Sequence, residues 1–281
     1  MIAIVGSTGN TGAALARLLH SRGVPFRALS RDPARARAVL GEGADIVGVP
    51  TPEALVAGLR GADRVYAALG GTPELLEVER EVIDAAHAAG VRHFVKLSGV
   101  EVEPAPSRIQ QIHAAAEAHL RASGMAWTIL GANFFHQNLL AFAGAVRQGV
   151  LPMPTGAGRA AMIDVEDIAA VAAAALTEPG HEGRRYRVSG PESLDHAEVA
   201  AILGRVAGRE VRFLDLPGPA WEGSLVEAGV PAWLAAQLTD VYGRFFGTPG
   251  AAALSPDVER VLGRPGRSVA AWAELNAAAF R

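Results

Sequence analysis

Short apolar runs alternate with helical segments across the first 130 residues of this 281-residue chain, and that alternation restricts its fold more than any other feature. Runs at Met1–Val5, Phe26–Ser30, Ala44–Val49, Arg64–Leu69, His93–Ser98 and Ala126–Leu130 have the length and residue types of buried strands. Helical patterns separate them at Asn10–Arg22, Pro33–Leu40, Pro52–Arg60, Pro73–Ala89 and Arg108–Ala122. Thr51 followed by Pro52 is a helix start, and Ser123-Gly124 is a stop. Strands joined through helices of this length make right-handed crossovers, which predicts a parallel sheet covered by helices on both faces.

In such a doubly wound, Rossmann-type α/β domain, ligands sit beyond the carboxyl ends of the strands near the switch point. The loops placed there are Gly6–Gly12, Ser30–Asp32, Leu69–Thr72, Ser98–Val100 and Gly131–Asn138. The first reads GSTGNTG, with Gly6, Gly9 and Gly12 at a strand-to-helix corner. Its G-x-x-G-x-x-G spacing differs from the usual G-x-G-x-x-G. Backbone N–H groups from Thr8, Gly9, Asn10, Thr11 and Gly12, together with the positive helix end, suit a pyrophosphate. The second loop reads SRDP, with Arg31 where an acidic residue would take the ribose hydroxyls of NAD. Asp32, followed by Pro33, is an N-cap, which leaves the Arg31 guanidinium to a 2′-phosphate and predicts NADP(H) in preference to NAD(H). Ala68, Leu69 and Gly70 offer small surfaces for the adenine and its ribose.

Other classes fall away on composition. Cysteine is absent, which excludes disulfides, thiolate metal sites and a cysteine nucleophile and fits a cytoplasmic protein. No apolar stretch reaches the ~18 residues of a membrane span, and the first residues lack the basic segment of a secretory signal. The net charge is −3 with scattered basic residues, so no nucleic-acid footprint is expected. His136 has no second ligand at metal spacing, and no metal is predicted. Lys96 is the only lysine, which closes any mechanism that needs two.

Beyond residue 133 the alternation stops. Leu139–Arg147 reads as a helix, and Gln148–Arg159, rich in Gly and Pro, as a loop. Asp164 and Asp167 mark the start of a helix through Leu176, and Arg185–Ser189 reads as a strand returning to the main sheet. Residues 1–133, with 162–190 returning to them, are therefore read as the nucleotide-binding domain, and 134–161 with 191–281 as a smaller, mostly helical substrate lobe. Thirteen of the sixteen aromatic residues lie from Trp127 onward, which suits a lobe for flat apolar molecules. Trp221, Tyr242, Phe245 and Phe246 are candidates for its lid.

GSTGNTG, SRDP, VKLSGVE, IHAAAEAHLRASGMAWTILGANFFHQNLL and MIDVEDIAAVAAAAL occur in an order that resembles the NmrA-like group of atypical short-chain dehydrogenases/reductases. Within it the chain is most similar to the NAD(P)H:quinone oxidoreductase and triphenylmethane reductase subgroup. The likeness weakens after about residue 215. It implies a pyrophosphate cradle after the first strand, a 2′-phosphate contact at Arg31 and a substrate groove above the nicotinamide. Ordinary members of the wider family carry Tyr-x-x-x-Lys on the helix before the sixth strand. Here Ile109 and His113 hold those two places, with Glu117 one turn on. The resemblance thus implies His113, Glu117 and Ser98 as the residues of the chemistry. It adds Ser98, His113, Ala132, Asn133 and Phe134 to the cofactor contacts. Relatives commonly have Arg-Pro where this chain has Gly131-Ala132, implying a smaller, uncharged wall.

A positioned general acid is typically worth ~10²–10⁴-fold. A conjugated acceptor spreads incoming charge and needs that acid less than a simple ketone. The missing tyrosine therefore favours NAD(P)H-dependent hydride transfer to a quinone-like or polycyclic aromatic molecule. Two alternatives stay open: an NAD(P)-binding regulator without turnover, and a non-redox isomerase or cyclase. The reading allows a homodimer.

Overall fold

The computed structural model describes residues 1–101 and 105–281. The expected strands and helices of the first 130 residues are present: β1 (Ile2–Val5), α1 (Asn10–Ser21), β2 (Phe26–Ser30), α2 (Pro33–Leu40), β3 (Asp45–Gly48), α3 (Pro52–Leu59), β4 (Arg64–Ala67), α4 (Leu75–Ala88), β5 (His93–Gly99), α5 (Arg108–Ala122) and β6 (Ala126–Ala132). The starts of α2 and α3 follow from local chemistry. Asp32 Oδ1 accepts from Arg35 N at 3.0 Å, and Thr51 Oγ1 accepts from Ala54 N at 3.2 Å, each with proline in the first turn.

Later elements are a 3₁₀ helix (His136–Phe142), α6 (Ala143–Arg147), β7 (Val150–Met153), β8 (Arg159–Ala160), α7 (Val165–Thr177), β9 (Arg184–Val188), β10 (Leu194–Asp195), α8 (His196–Ala207), β11 (Arg212–Asp215), α9 (Gly218–Glu227) and α10 (Ala232–Phe245), followed by short helices. The main sheet has seven strands in the order β3-β2-β1-β4-β5-β6-β9, with parallel pairing from β3 through β5. β9 takes the edge beside β6, as its sequence predicts. The order reverses at β1, which sends its neighbours β2 and β4 to opposite sides.

The chain divides into two compact units. The first comprises 1–98, 112–131 and 165–186; the second comprises 99–111, 132–164 and 187–281. In the first, Ala3, Val5, Leu29, Val65, Phe94 and Ile129 of the sheet pack with Leu55, Leu59, Val82, Ile83 and Leu120 of its helices. The almost fully buried α7 packs along α1 in this unit.

The second unit has its own core, which includes Trp221, Tyr242, Phe245, Phe246, Trp272 and Phe280. The lid expected from Trp221, Tyr242, Phe245 and Phe246 is thereby corrected. All four side chains are buried, and the Tyr242 and Phe246 rings stack at 5.5 Å. Two further expectations change here. The helix expected over Leu139–Arg147 is 3₁₀ up to Phe142 and α-helical only afterwards. The loop expected over Gln148–Arg159 contains β7, which pairs in parallel with β11. Leu151 and Met153 alternate inward there, and Pro152 is tolerated because this sheet has only two strands. No helix among the described residues is long and apolar enough to cross a membrane.

Candidate functional site

The glycine corner is closed by backbone contact. Gly6 has φ +83, and a Cβ there would lie 2.0 Å from the carbonyl oxygen of Ala68. A Cβ on Gly12 would lie 2.2 Å from the Gly6 oxygen. Gly9 differs: its Cβ would meet only the Gly6 oxygen, at 3.4 Å. Gly6 O accepts from Gly9 N at 3.1 Å, and Ala68 N donates to Val5 O at 3.1 Å, which ties the ends of β1 and β4 together. Gly9 is the N-cap of α1 and no side chain caps this helix. The first-turn amides at Asn10, Thr11 and Gly12 are thus free of side-chain caps at the positive helix end. Thr11 is buried, Thr8 half-buried and Asn10 exposed.

At the end of β2, Ser30 Oγ donates to Asp32 O at 2.8 Å, and Asp32 is occupied as the α2 cap. Arg31 is exposed, and its guanidinium makes no hydrogen bond or ion pair among the described residues. Leu69 and Gly70 continue from β4 beside Ala68; the first is half-buried and the second exposed.

Ser98, His113 and Glu117 come together in a buried polar network of the first unit. The Ser98 hydroxyl donates to Glu117 Oε1 at 2.7 Å. Arg185 on β9 reaches both Glu117 oxygens at 3.1 Å, and Arg121 donates to Oε2 at 3.0 Å. Burial by itself pushes the Glu117 carboxyl up, but Arg185, Ser98 and Arg121 outweigh it and hold the group below the usual carboxylate range. These donors fill the Glu117 carboxylate. The carboxylate facing His113 is Glu79 on α4, with Oε1 3.5 Å from His113 Nδ1. Glu79 Oε1 also accepts from Lys96 Nζ at 2.6 Å. Burial pushes the His113 imidazole down, with the Lys96 ammonium adding to it, so the ring is neutral at neutral pH.

Glu79, Lys96, Arg121 and Arg185 are the members of this network that the sequence does not assign to the site. A signal existed for two of them. Glu79 interrupts the apolar stripe Leu75, Val82, Ile83 and Ala86 on α4, and Lys96 interrupts an apolar strand. Arg185 also corrects the expectation of an uncharged wall at Gly131. A Cβ on Gly131 would lie 2.6 Å from Arg185 Nη1, so the guanidinium stands directly against this glycine.

Ala132, Asn133 and Phe134 belong to the second unit. Val100 N donates to Ala132 O at 3.0 Å. Asn133 Nδ2 donates to Ala251 O at 2.8 Å, while Oδ1 accepts from Phe134 N, so its amide is engaged within that unit. The Phe134 ring stands 4.6 Å from the Tyr242 and Phe246 rings. His136 hydrogen-bonds to Met162 O at 3.1 Å. Among the described residues, no cluster of three or more His, Asp or Glu could hold a metal ion.

A family model described as NAD(P)H-binding matches residues 6–179. The chain is 39% identical over 285 residues to the NAD(P)H azoreductase of Xenophilus azovorans, covering 100% of this chain and 99% of that protein. It is 38% identical over 285 residues to the (4-alkanoyl-5-oxo-2,5-dihydrofuran-3-yl)methyl phosphate reductase of Streptomyces griseus, again covering 100% and 99%. Among solved structures, the NADPH-dependent quinone oxidoreductase QOR2 of Escherichia coli complexed with NADPH matches with a TM-score of 0.86 at 29% identity. That match covers 96% of this chain and 97% of the other.

Proposed function

The chain belongs to the NAD(P)H-binding family, in its NmrA-like, quinone-reductase-like group, and from that premise we propose that it transfers hydride from a nicotinamide dinucleotide to a quinone-like or polycyclic aromatic acceptor. The observation that carries this reading is the uncapped amino end of α1 behind a glycine turn closed against Ala68, at the point where the strand order reverses. The residues fit the dinucleotide. The amides from Thr8 to Gly12 would hold its pyrophosphate, and Gly9 leaves the space over that corner open. Arg31, exposed and unpaired among the described residues, would take a 2′-phosphate. The carboxylate beside it, Asp32, is engaged through Oδ1 as the cap of α2. This supports NADP(H) over NAD(H).

When bound, the reduced nicotinamide supplies the hydride. The chain's own contribution is binding and positioning. Ile109 occupies the place of the usual tyrosine, and Tyr66 and Tyr242 are buried elsewhere. A neutral His113 is the polar side chain of α5 assigned to the cofactor, with Glu79 facing its Nδ1, while Ser98 and Glu117 are bound to each other and to Arg185. Without a strong positioned acid, the acceptor must itself delocalise the arriving charge. The names of the relatives, an azoreductase and a quinone oxidoreductase, agree with acceptors of that kind. The test mixes purified protein, NADPH and a panel of quinones and polycyclic dyes and follows nicotinamide absorbance. Acceptor-dependent oxidation is the expected result. Tight NADPH binding with no oxidation across the panel would overturn the reductase reading in favour of a protein that senses the nucleotide.

A further inference from the structure

Lys96 and Glu79 have side chains only 3% exposed, which is costly for two charges unless their arrangement is used. Apolar residues of similar volume would serve the packing at least as well. The pair also carries loose ends. Glu79 Oε2 and His113 Nδ1 are buried without a hydrogen-bond partner, although Nδ1 lies 3.5 Å from Glu79 Oε1. Lys96 Nζ takes up part of the charge, donating to Glu79 Oε1 at 2.6 Å and to Leu97 O at 3.1 Å.

We propose that Glu79, bonded to Lys96, is a positioning residue that fixes the tautomer of His113 and makes the imidazole a hydrogen-bond acceptor through Nε2. An Nδ1 lone pair facing a carboxylate would be repelled, whereas an Nδ1–H is attracted, so the proton resides on Nδ1. Nδ1 is sealed from solvent, whereas Nε2 is not among the buried orphan atoms and makes no hydrogen bond among the described residues. The groups facing the ring are Glu79, Lys96 and Glu117, and the last is saturated by Ser98, Arg185 and Arg121. A small closure of the 3.5 Å gap would complete the Nδ1–H bond to Glu79, since such bonds are often long before ligand binds. His113 then meets its ligand as an acceptor of an N–H or O–H, such as a carboxamide or ribose hydroxyl, and not as a proton donor. This rests on the reading of His113 as a cofactor contact and deepens it: the histidine holds, and the acceptor's own conjugation replaces the missing acid.

The experiment is nitrogen NMR on the full chain labelled at histidine, with His113 assigned among the eight histidines by His113→Gln. In the wild type at neutral pH, His113 is expected protonated at Nδ1 with a bare Nε2. Glu79→Gln should shift the population toward the Nε2–H form, and Glu79→Asp should restore the wild-type pattern. The dissociation constant for NADPH should rise about tenfold in Glu79→Gln and in His113→Ala, the scale of one hydrogen bond, with no further rise in the double variant. A wild-type His113 protonated at Nε2 overturns the proposal whatever Glu79→Gln does. An unchanged tautomer, or unchanged NADPH binding, in Glu79→Gln overturns it equally. The tautomer needs neither cofactor nor turnover, so a protein that oxidises no NADPH would defeat the reductase reading and leave this result standing.

Discussion

Arg31 stands at the end of β2 with its guanidinium in solvent, and the acid next to it is committed to the cap of α2. A hydrogen bond to a charged group contributes about 1.5–3 kcal/mol, which is roughly ten- to hundredfold in affinity. Arg31→Ala should therefore weaken NADPH by that factor and leave NADH nearly unchanged, as read by nucleotide-fluorescence titration. Equal dissociation constants for the two nucleotides in the wild type would remove the basis for the preference. Glu117 makes a different kind of test, because it is a structural anion. Its carboxylate meets Arg185, whose side chain is 16% exposed, so neutralising it removes one charge of a largely buried ion pair. Breaking a buried pair on one side costs about 3–5 kcal/mol. Glu117→Gln should lower stability by about that amount in chemical denaturation, and adding Arg185→Met should recover part of the loss. A single variant as stable as the wild type would show that the pair contributes nothing.

Among elements, the glycine corner separates folding from binding. Gly6 and Gly12 are required by close backbone approach, whereas Gly9 has room for a methyl at φ −79 and ψ 168. Gly12→Ala forces α1 away from the Gly6 carbonyl. It should cost about 1–3 kcal/mol or more, visible as a lowered midpoint in thermal melts. Gly9→Ala should hold its stability to within about 1 kcal/mol, since alanine is only a poorer N-cap. Its methyl group would stand over the phosphate cradle and weaken NADPH binding; unchanged binding would move the pyrophosphate elsewhere. This corner was legible because strand, turn and helix signals lie within a dozen residues of one another. So were the alternating strands and the capped starts of α2 and α3. The β7–β11 pair was not, because its partners are far apart in sequence and Pro152 masks the alternation of Leu151 and Met153. Nor was the buried charge network, whose members come from α4, β5, α5 and β9. Only tertiary packing shows that Glu79, rather than Glu117, faces His113.

At the scale of the whole molecule, several ionisable groups are buried in forms that acid disrupts. In the first unit, His93 and His113 are held down by burial, and Glu79 stays ionised because His113 and Lys96 together outweigh its desolvation. In the second unit, His196 is 1% exposed, hydrogen-bonds Thr155 Oγ1 at 2.9 Å through Nδ1, stacks on Phe213 and lies tilted against Phe246. Burial pushes it from 6.5 down to about 4. Between those values the unfolded chain binds a proton at this position that the folded protein does not, so stability rises with pH and is lost as pH falls. The depressed carboxylates Glu79 and Glu117 work lower, because their stabilisation is present above the unfolded value of 4.5 and fades below it. His196 alone should therefore account for about 3 kcal/mol of acid sensitivity in the upper window, at ~1.36 kcal/mol per unit. Tryptophan fluorescence reads this directly, since Trp221, Trp233 and Trp272 lie in the second unit and only Trp127 in the first. The urea midpoint of that signal should fall as pH is lowered from 6.5 toward 4. His196→Asn, which keeps an amide where Nδ1 meets Thr155 but does not titrate, should flatten the decline. A slope unaffected by the substitution would assign the acid sensitivity to His93 and His113, and so to the first unit.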